Sequence, residues 1–399
     1  MEAARVIAAV ARITRDVGRA EELAQDALVS ALEQWPQTGV PDNPGAWLMT
    51  AAKHRAIDVL RRNKRLKRKQ QEIGRQAEAR QSETPDWDTA LDDEIGDNML
   101  SLIFTACHPA LSMEARVALT LRLVGGLTTD EIARAFLAPE TTIAQRIVRA
   151  KRTLTEEKVP FETPRGPDLG PRLSSVLEVL YLIFNEGYTA TAGQDWMRPA
   201  LCDEALRLGR VLAELAPNEP EVHGLVALME IQASRIHART GPDGEPILLL
   251  EQNRARWDQL LIRRGLAALK RAEDLGSAGG PYVLQAAIAA CHARAVTAAD
   301  TDWHQIAALY QRLSDMTGSP IVELNRAVAV AMADGPQAGL EIVDTLQDAL
   351  ADYHLLPSVR GDLLSNLGRH QEAATEFERA AAMTHNEREK RLLLKRAGK

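Results

Sequence analysis

Residues 45–69, GAWLMTAAKHRAIDVLRRNKRLKRK, constrain the fold more than any other stretch of the chain. If the stretch is a helix, apolar residues recur at the three- and four-residue spacing of one buried face. These residues are Leu48, Ala52, Ala56, Val59 and Leu60. The opposite side carries Trp47, His54, Asp58, Arg61, Arg62 and Arg65. Residues 53–69 contain nine Lys or Arg and one acid, so the pattern predicts an amphipathic helix whose basic face contacts a polyanion. The alternative is a basic helix end that is only solvated.

The remaining sequence favours helix almost everywhere. Ala, Leu, Arg and Glu are abundant among the 399 residues, aromatic residues make up 4%, and alternating β-branched runs are almost absent. These features predict an all-α protein with two or three domains. The formal net charge of −7 does not exclude nucleic-acid binding, because local charge decides binding and acids elsewhere offset the basic segment.

Residues 1–35 are predicted to form two helices that pack together, with Gly18 separating them. The first apolar stripe consists of Val6, Ile7, Val10, Ile13 and Val17. The second consists of Leu23, Ala27, Leu28, Ala31 and Leu32. Pro36, Pro41 and Pro44 then break the chain, and either Asp42 or Asn43 can cap the next helix.

Residues 83–97 contain seven acids and no base, around Pro85, which is typical of a solvated linker. A second compact unit follows at residues 98–154. Its first apolar residues predict two short helices, and Gly125 with Gly126 ends the second of them. These apolar residues are Ile103, Leu111, Val117, Leu119, Leu121 and Leu123.

A helix-turn-helix is predicted within this second unit. Thr128 and Glu131 match a capping box that opens one helix, and Pro139 suits the first residue of the next. Ile143, Ile147, Ala150 and Leu154 form the apolar stripe of that helix. Its outward positions, suited to a major groove, are Thr141, Thr142, Gln145, Arg146, Arg149 and Arg152. Arg146 and Arg149 either read guanine or hold phosphate, and spacing alone does not decide between these roles.

Two segments carry a resemblance to a known family. AEELAQDALVSALEQW at residues 20–35, followed by a Pro-containing connection and WL…A…RAIDVLRR, resembles region 2 of an extracytoplasmic-function (ECF) RNA polymerase sigma factor. GLTTDEIARAFLAPETTIAQRIVRAKRTL resembles sigma region 4.2 over its full length. Leu137 is a departure, because ECF proteins commonly have Gly at this turn position. The family also usually carries additional residues before the first helix.

The resemblance implies binding to core RNA polymerase, through its β′ clamp and β flap, and to promoter DNA, without a cofactor or a metal. The residues expected to contact the polymerase are Glu21, Glu22, Gln25, Asp26, Ser30 and Glu33. Those expected at the −10 element are Trp47, Lys53, His54, Arg55, Arg61, Arg62 and Arg65, with Trp47 alternatively a core residue. The outward positions of the helix-turn-helix are expected at the −35 element.

Beyond Pro160 a Pro- and Gly-rich linker leads into more than 220 further residues that again favour helix. Residues 322–346 and 356–380 both follow a helix, Gly-marked turn, helix pattern near the 34-residue period of tetratricopeptide repeats. Segments such as NEGYTATAG and ELNRAVAVAMADGP resemble the extension of the ECF42-like subgroup, which has a DUF6596-type region ending in such helices. The resemblance implies that the C-terminal half is regulatory and contacts either a protein partner or another part of the same chain.

The expected domains are a sigma-2 domain at residues 1–75, an acidic linker at 76–97 and a sigma-4 domain at 98–158. A second linker at 159–171 leads to a C-terminal helical domain at 172–399. An acidic linker between the two sigma domains is expected to be solvated or to occupy a basic polymerase channel.

Other function classes are disfavoured. Cys107, Cys202 and Cys291 lack metal-binding spacing and fit a reducing cytosol. No signal peptide or membrane span is predicted, so we expect a cytoplasmic location. His223, His237, His292, His304 and Glu186 come without a catalytic motif, so we expect structural roles and no enzyme activity. Aromatic residues Tyr188, Trp196, Trp257, Tyr282 and Trp303 either line a ligand pocket or fill cores. A stand-alone helix-turn-helix regulator that does not need core polymerase is the alternative.

Overall fold

A computed structural model describes residues 2–74, 95–136, 138–190, 192–193, 197–241, 245–276 and 279–398. The predicted acidic linker up to residue 94, the turn residue Leu137 and Trp196 lie outside these ranges. The expected all-α class is confirmed, with one parallel pair of two-residue strands, β1 (Ala192–Gly193) and β2 (His385–Asn386). No helix in the described ranges has both the length and the apolar character needed to cross a bilayer. The chain divides into two compact units, Met1–Val179 and Leu180–Lys399.

The first unit contains seven complete described helices and the beginning of an eighth. The helices are α1 (Glu2–Thr14), α2 (Val17–Thr38), α3 (Pro44–Gly74), α4 (Ile95–Ala106), α5 (Met113–Thr120), α6 (Thr129–Ala135), α7 (Glu140–Glu156) and α8 (Leu169–Tyr188). A π-helical turn at Leu121–Gly125 extends α5, and a 3-10 turn at Gly166–Asp168 precedes α8.

The break between α1 and α2 lies before Gly18, so the prediction of Gly18 as the separator is wrong. Arg15 adopts a left-handed conformation with φ of 54°, which ends α1. The Asp16 carboxylate then accepts a hydrogen bond from the backbone N–H of Arg19 at 3.0 Å and caps α2. Gly18 is the second residue of α2. The predicted apolar stripe of α1, together with Val17, is buried as expected.

Pro36 does not end α2, contrary to the prediction. The helix continues through Pro36 to Thr38, and Gly39 follows with φ of 84°. Proline removes one hydrogen bond of a helix and its ring crowds the carbonyl four residues earlier, and α2 ends two residues after Pro36. The following helix is capped by Asn43, whose side chain accepts a hydrogen bond from the backbone N–H of Ala46 at 3.0 Å.

The core predicted for α4 and α5 is confirmed. Ile103, Leu111, Val117, Leu119, Leu121 and Leu123 are all buried. The predicted end of this segment is confirmed at Gly126, which adopts a left-handed φ of 77° after the π-helical turn. Leu48, Ala52 and Ala56 of α3 are buried as predicted, whereas Val59 and Leu60 are half-buried.

The first half of α8 completes the first unit by binding the carboxyl end of α4. The Arg172 guanidinium donates to the Phe104 carbonyl at 2.9 Å, and the Ser175 hydroxyl donates to the Cys107 carbonyl at 2.7 Å. Ser175 also accepts a hydrogen bond from Arg116 at 3.0 Å. The last carbonyls of a helix lack partners within that helix, so these two side chains satisfy groups that would otherwise be unpaired.

Replacing Ser175 by Ala is expected to lower the free energy of unfolding of the full chain by about 1–3 kcal/mol, because the buried Cys107 carbonyl loses its partner. The matched control is Ser174→Ala, since the exposed Ser174 hydroxyl bonds only to Gly170 of its own helix. Chemical denaturation followed by tryptophan fluorescence measures both variants. Equal stability of the two variants would contradict this account of α8.

The second unit consists of stacked helices that begin with the remainder of α8. They are α9 (Pro199–Leu215), α10 (Pro220–Ala233), α11 (Gln259–Asp274), α12 (Pro281–Arg294), α13 (Trp303–Thr317), α14 (Pro320–Asp334), α15 (Pro336–Asp344), α16 (Leu355–Asn366), α17 (His370–Met383) and α18 (Glu387–Arg396). β1 and β2 pair within this unit, and the Asn386 amide donates to the Ala190 carbonyl at 3.1 Å.

The two predicted repeats each form a helical hairpin, α14 with α15 and α16 with α17. Glycines with positive φ connect the helices, Gly335 at 103° and Gly368 at 78°. The helices of the first hairpin approach so closely that a Cβ at Gly339 would lie 2.6 Å from the Ala327 carbonyl oxygen. Both hairpins share one apolar core, which includes Leu340 and Phe377. The tetratricopeptide assignment itself stays a prediction.

Candidate nucleic-acid interface

The predicted helix-turn-helix is formed by α6 and α7, and its capping box is confirmed. The Thr128 backbone N–H donates to the Glu131 carboxylate at 2.7 Å, and the Glu131 N–H donates to the Thr128 hydroxyl at 3.2 Å. These reciprocal bonds fix the start of α6. The second helix begins at Glu140, so Pro139 precedes its first residue instead of occupying it as predicted.

The outward face of α7 carries the polar and basic side chains that the sequence places there. Ile143, Ile147, Ala150 and Leu154 are buried, which confirms the predicted stripe. Thr141, Thr142, Gln145, Arg149 and Arg152 are exposed, and Arg146 is half-buried. Arg152 pairs with Glu156 at 3.0 Å on the exposed surface. The helix therefore presents hydrogen-bonding groups at its amino-terminal end and positive charge along its length.

A cleft of about 380 Å³ lies between the start of α5 and this face of α7. Thr142, Gln145, Arg146 and Arg149 line one side of it, and Glu114 lies on the other. Bonds from its own backbone N–H and from the Ser112 hydroxyl, with a contribution from the Arg146 charge, lower the pKa of Glu114. This carboxylate stays ionised and places a negative charge in the same cleft as Arg146.

The basic face of α3 is solvent-accessible at His54, Arg61, Arg62 and Arg65. Lys53 and Arg55 are half-buried. Arg55 donates a hydrogen bond to the Ser30 hydroxyl and thereby connects α3 to α2. One of its guanidinium nitrogens, Nη1, is buried without a partner, so Arg55 is partly committed to internal packing.

Trp47, at the start of α3, has features of both predicted roles, a core residue and a contact for the −10 element. Its ring meets the Trp35 ring edge to face, with the centroids 5.5 Å apart. The residue is half-buried. The contact joins the carboxyl-terminal part of α2 to α3, and the partial exposure of Trp47 leaves it available for a further contact.

The outer surface of α2 differs from the predicted pattern. Leu28 and Leu32 were expected in the buried stripe, yet they are 38% and 74% exposed, so this prediction is wrong. The buried face consists instead of small residues with Leu23, because α1 and α3 pack closely against it. Val29 is 52% exposed and completes an apolar surface with the two leucines. Glu22, Gln25, Asp26 and Glu33 surround it and face outward as expected.

Glu21 and Ser30 were expected to face outward together with these residues, but both are buried, at 5% and 8% exposure. Ser30 accepts the hydrogen bond from Arg55. Glu21 accepts one from Arg122 at 2.7 Å and forms an ion pair with Lys151 of α7. The Glu21 carboxylate therefore connects the first two-helix segment to the helix-turn-helix segment within the first unit.

Sequence reasoning missed this exposed apolar surface, which we call the α2 surface and define as Leu28, Val29 and Leu32. The signal was present, because α2 carries apolar residues on more than one side. A contiguous exposed apolar patch marks an interaction site, whereas single exposed apolar residues are ordinary. The acids around it add a charge preference for that partner.

The candidate enzyme residues are not brought together. Glu186 is buried and paired with Arg198, His223 bonds to the Pro217 carbonyl at 2.9 Å, and His237 and His304 are exposed. Within the part of the chain that the structure describes, no three His, Cys, Asp or Glu side chains are arranged to hold a metal ion. Cys107, Cys202 and Cys291 are buried free thiols, and burial raises the pKa of Cys107 to about 11.

Comparisons with known proteins agree with the arrangement of these segments. Sigma-70 region 2 matches residues 2–66, sigma-70 region 4 matches residues 101–154, and a family of unknown function (DUF6596) matches residues 172–273. The uncharacterized protein R00370 of Rhizobium meliloti (strain 1021) is 42% identical over 387 residues, which cover 96% of this chain and 90% of that protein.

Curated relatives with a named function match 38% of the chain. The ECF RNA polymerase sigma factor SigK of Mycobacterium tuberculosis (strain ATCC 25618 / H37Rv) is 32% identical over 157 residues, 38% of this chain and 78% of SigK. SigK of Mycobacterium ulcerans (strain Agy99) is 31% identical over 158 residues, with the same coverage of 38% and 78%.

Proposed function

The chain belongs to the ECF-type RNA polymerase sigma factors, with a DUF6596 region after sigma-70 region 4, and we propose that it directs core RNA polymerase to specific promoters. The observation that carries the proposal is the outward row of polar and basic side chains on α7, within the segment that matches region 4. In this proposal the chain acts in the cytoplasm by binding and makes or breaks no bond itself.

The −35 element is read by α7 in this proposal. Thr141, Thr142 and Gln145 lie at the amino-terminal end, where a recognition helix meets base edges. Arg149 is exposed for contact with guanine or phosphate, and Arg146 reaches DNA from the cleft beside Glu114. Arg152 lies farther along the helix and suits a phosphate contact.

The −10 element is opened against α3. His54, Arg61, Arg62 and Arg65 present an exposed basic face that suits the phosphate backbone. The half-buried ring of Trp47 lies near the start of the same helix and offers a stacking surface for an unpaired base. Lys53 and Arg55 lie between these groups and complete the predicted contact surface.

Core polymerase binds the α2 surface in this proposal, with its β′ clamp covering Leu28, Val29 and Leu32. The four exposed polar residues around these side chains match the polymerase-binding positions that the family resemblance implies. An apolar centre with a polar rim is the usual composition of a protein interface. The β flap is the second proposed polymerase contact and binds the region-4 segment.

The C-terminal region is proposed to regulate this activity. Its first helix, α8, caps the end of α4 through Arg172 and Ser175, so a change in α8 alters the support of the region-4 segment. The two helical hairpins, which are stacked on one shared core, suit the binding of a protein partner. Promoter activity that is insensitive to every change in the second unit would contradict this role.

Replacing Leu28 and Leu32 together by Ser is expected to weaken binding of the chain to core RNA polymerase by about tenfold or more. Burial of a Leu side chain contributes roughly 1.5–3 kcal/mol, and about 1.4 kcal/mol corresponds to a factor of ten in affinity. Co-elution and titration with a fluorescently labelled chain measure the affinity.

The matched control for this experiment is Leu248→Ser with Leu260→Ser, since these leucines of the second unit are 40% and 48% exposed. Both double variants should keep the stability of the parent chain, because all four side chains are exposed. Equal polymerase affinity of the two double variants would show that the α2 surface is not the binding site.

A further inference from the structure

A cavity of about 280 Å³ lies within the second unit, partly open to solvent and lined by residues of α8, α10, α12, α13 and α14. Its volume is far larger than the ~30 Å³ that one water occupies in the liquid and is close to the lower end of the roughly 300–1,000 Å³ typical of ligand pockets. Tyr181, Leu228, Ile288 and Leu313 provide apolar walls. The side-chain amides of Gln232, Gln285 and Asn325 provide polar groups.

Arg235 lines this cavity and is only 8% exposed. Its guanidinium carbon lies 5.8 Å from the ring centroids of both Tyr188 and Trp257. Its Nε is buried without a hydrogen-bond partner. A buried guanidinium without an anion is costly, and such groups are normally paired.

The surrounding residues increase the positive charge instead of neutralising it. Arg239 stacks on Tyr188 and donates to the Thr189 hydroxyl at 3.0 Å, and Arg254 donates to the carbonyls of His292 and Ala295 at 2.6 and 2.7 Å. Burial, with a contribution from the Arg235 charge, lowers the pKa of both Arg239 and Arg254.

Two carboxylates of the second unit, Glu230 and Asp300, form their hydrogen bonds with groups other than Arg235. Glu230 pairs with Arg210 at 2.8 Å, and the exposed Asp300 accepts hydrogen bonds from the backbone N–H and hydroxyl of Thr297 at 3.0 and 2.8 Å. Neither carboxylate forms an ion pair with Arg235. Asp300 attracts Arg254 electrostatically, whereas no carboxylate among the described side chains forms an ion pair with Arg235.

His292 provides a second unpaired polar group at the cavity. The residue is 8% exposed, its Nδ1 is buried without a partner, and its ring meets Trp303 edge to face at 5.2 Å. Burial, followed by the charges of Arg235 and Arg254, lowers the pKa of His292 to about 4, so the ring is neutral near pH 7. A neutral imidazole can donate one hydrogen bond to an anion beside Arg235.

We propose that this cavity binds a small organic anion, whose carboxylate or phosphate group pairs with Arg235 and whose apolar body lies between the tyrosines and aliphatic side chains. The planar guanidinium suits both anionic groups, because each can accept two parallel hydrogen bonds from it. The Tyr310 side chain and the amides of Gln232 and Asn325 provide further hydrogen-bonding groups, whereas the Gln285 amide bonds to Tyr181 and to the Pro281 carbonyl. Given the proposed function, this site would be the effector site of the regulatory region.

The test measures thermal unfolding of the full chain with millimolar benzoate, phenyl phosphate or the neutral benzamide. The parent chain and Arg263→Gln, a change at an exposed arginine of α11, should be stabilised by benzoate, phenyl phosphate or both, and not by benzamide. Comparison of the two anions identifies the preferred group. Arg235→Gln should weaken anion binding by about tenfold or more, since a charged hydrogen-bond pair contributes roughly 1.5–3 kcal/mol.

A second readout needs no ligand. Arg235→Gln alone should raise the melting temperature of the ligand-free chain by roughly 2 °C or more, because it removes an unpaired buried charge. Absence of stabilisation by either anion, equal stabilisation by benzamide, or equal anion binding by Arg235→Gln would overturn the proposal. A lowered melting temperature of ligand-free Arg235→Gln would also overturn it, since that result indicates a purely structural arginine. No polymerase is present, so failure here is separate from failure of the proposed function.

Discussion

Replacing Arg146 and Arg149 together by Ala is expected to lower transcription from a cognate promoter by about 30-fold or more. A side chain that reads a base contributes roughly 1–3 kcal/mol, and two such losses total at least about 2 kcal/mol, where 1.4 kcal/mol is a factor of ten. Both side chains line the cleft on the outward face of α7, outside its buried stripe, so the helix should remain folded. Transcription in vitro with core RNA polymerase measures the effect.

The matched control replaces Arg263 and Arg264, two exposed arginines of α11. Its transcription should equal that of the parent chain, and both double variants should bind core polymerase equally. The single variants Arg146→Ala and Arg149→Ala distinguish base reading from phosphate contact, the two roles that the sequence leaves open. Loss confined to particular −35 sequences indicates base reading, and an equal loss on all sequences with a smaller salt dependence indicates phosphate contact. Full activity of the Arg146 and Arg149 double variant would contradict the assignment of α7.

The second large effect concerns Glu21. Replacing Arg122 and Lys151 together by Ala leaves this buried carboxylate without a counter-ion and is expected to cost about 3 kcal/mol of stability. The control replaces Lys270 and Arg369, whose ion pairs with Asp274 and Glu372 are exposed and contribute little to stability. Urea denaturation measures both. Equal stability of the two double variants would contradict a structural role for the Glu21 pairs.

The same variant tests whether Glu21 contributes to polymerase binding. Neither Arg122 nor Lys151 belongs to the predicted polymerase-binding residues, whereas Glu21 does. If the polymerase uses Glu21, its ion pairs must first break, so removal of both cations should raise the affinity for core polymerase. An unchanged affinity for core polymerase would show that the polymerase does not use Glu21. The binding site on α2 would then consist of its exposed residues.

Local patterns allowed the helix-turn-helix to be predicted in detail. The capping box of Thr128 and Glu131 spans four residues, and the stripe of α7 is a simple periodicity, so both depend only on neighbours in the sequence. The polar and basic residues opposite that stripe follow from the same geometry. The cap of α3 by Asn43 was one of two predicted alternatives for the same reason.

Contacts between distant parts of the chain could not be predicted in this way. Glu21 is 101 and 130 positions from Arg122 and Lys151, and Ser175 is 68 positions from Cys107. Periodicity identifies apolar positions on a helix but not which of two sides meets the core, so Leu32 was placed on the wrong side. The unpaired state of Arg235 likewise depends on which side chains surround it in the folded chain.

Transcription by core RNA polymerase from the DNA upstream of the protein's own gene tests the central claim most directly. The account predicts a defined transcript when core enzyme and the chain are both present, and none when either is omitted. The contradictory result is sequence-specific binding of the chain to duplex DNA without core enzyme, together with neither a transcript nor co-elution with core polymerase. That result would identify a stand-alone regulator that uses only its helix-turn-helix.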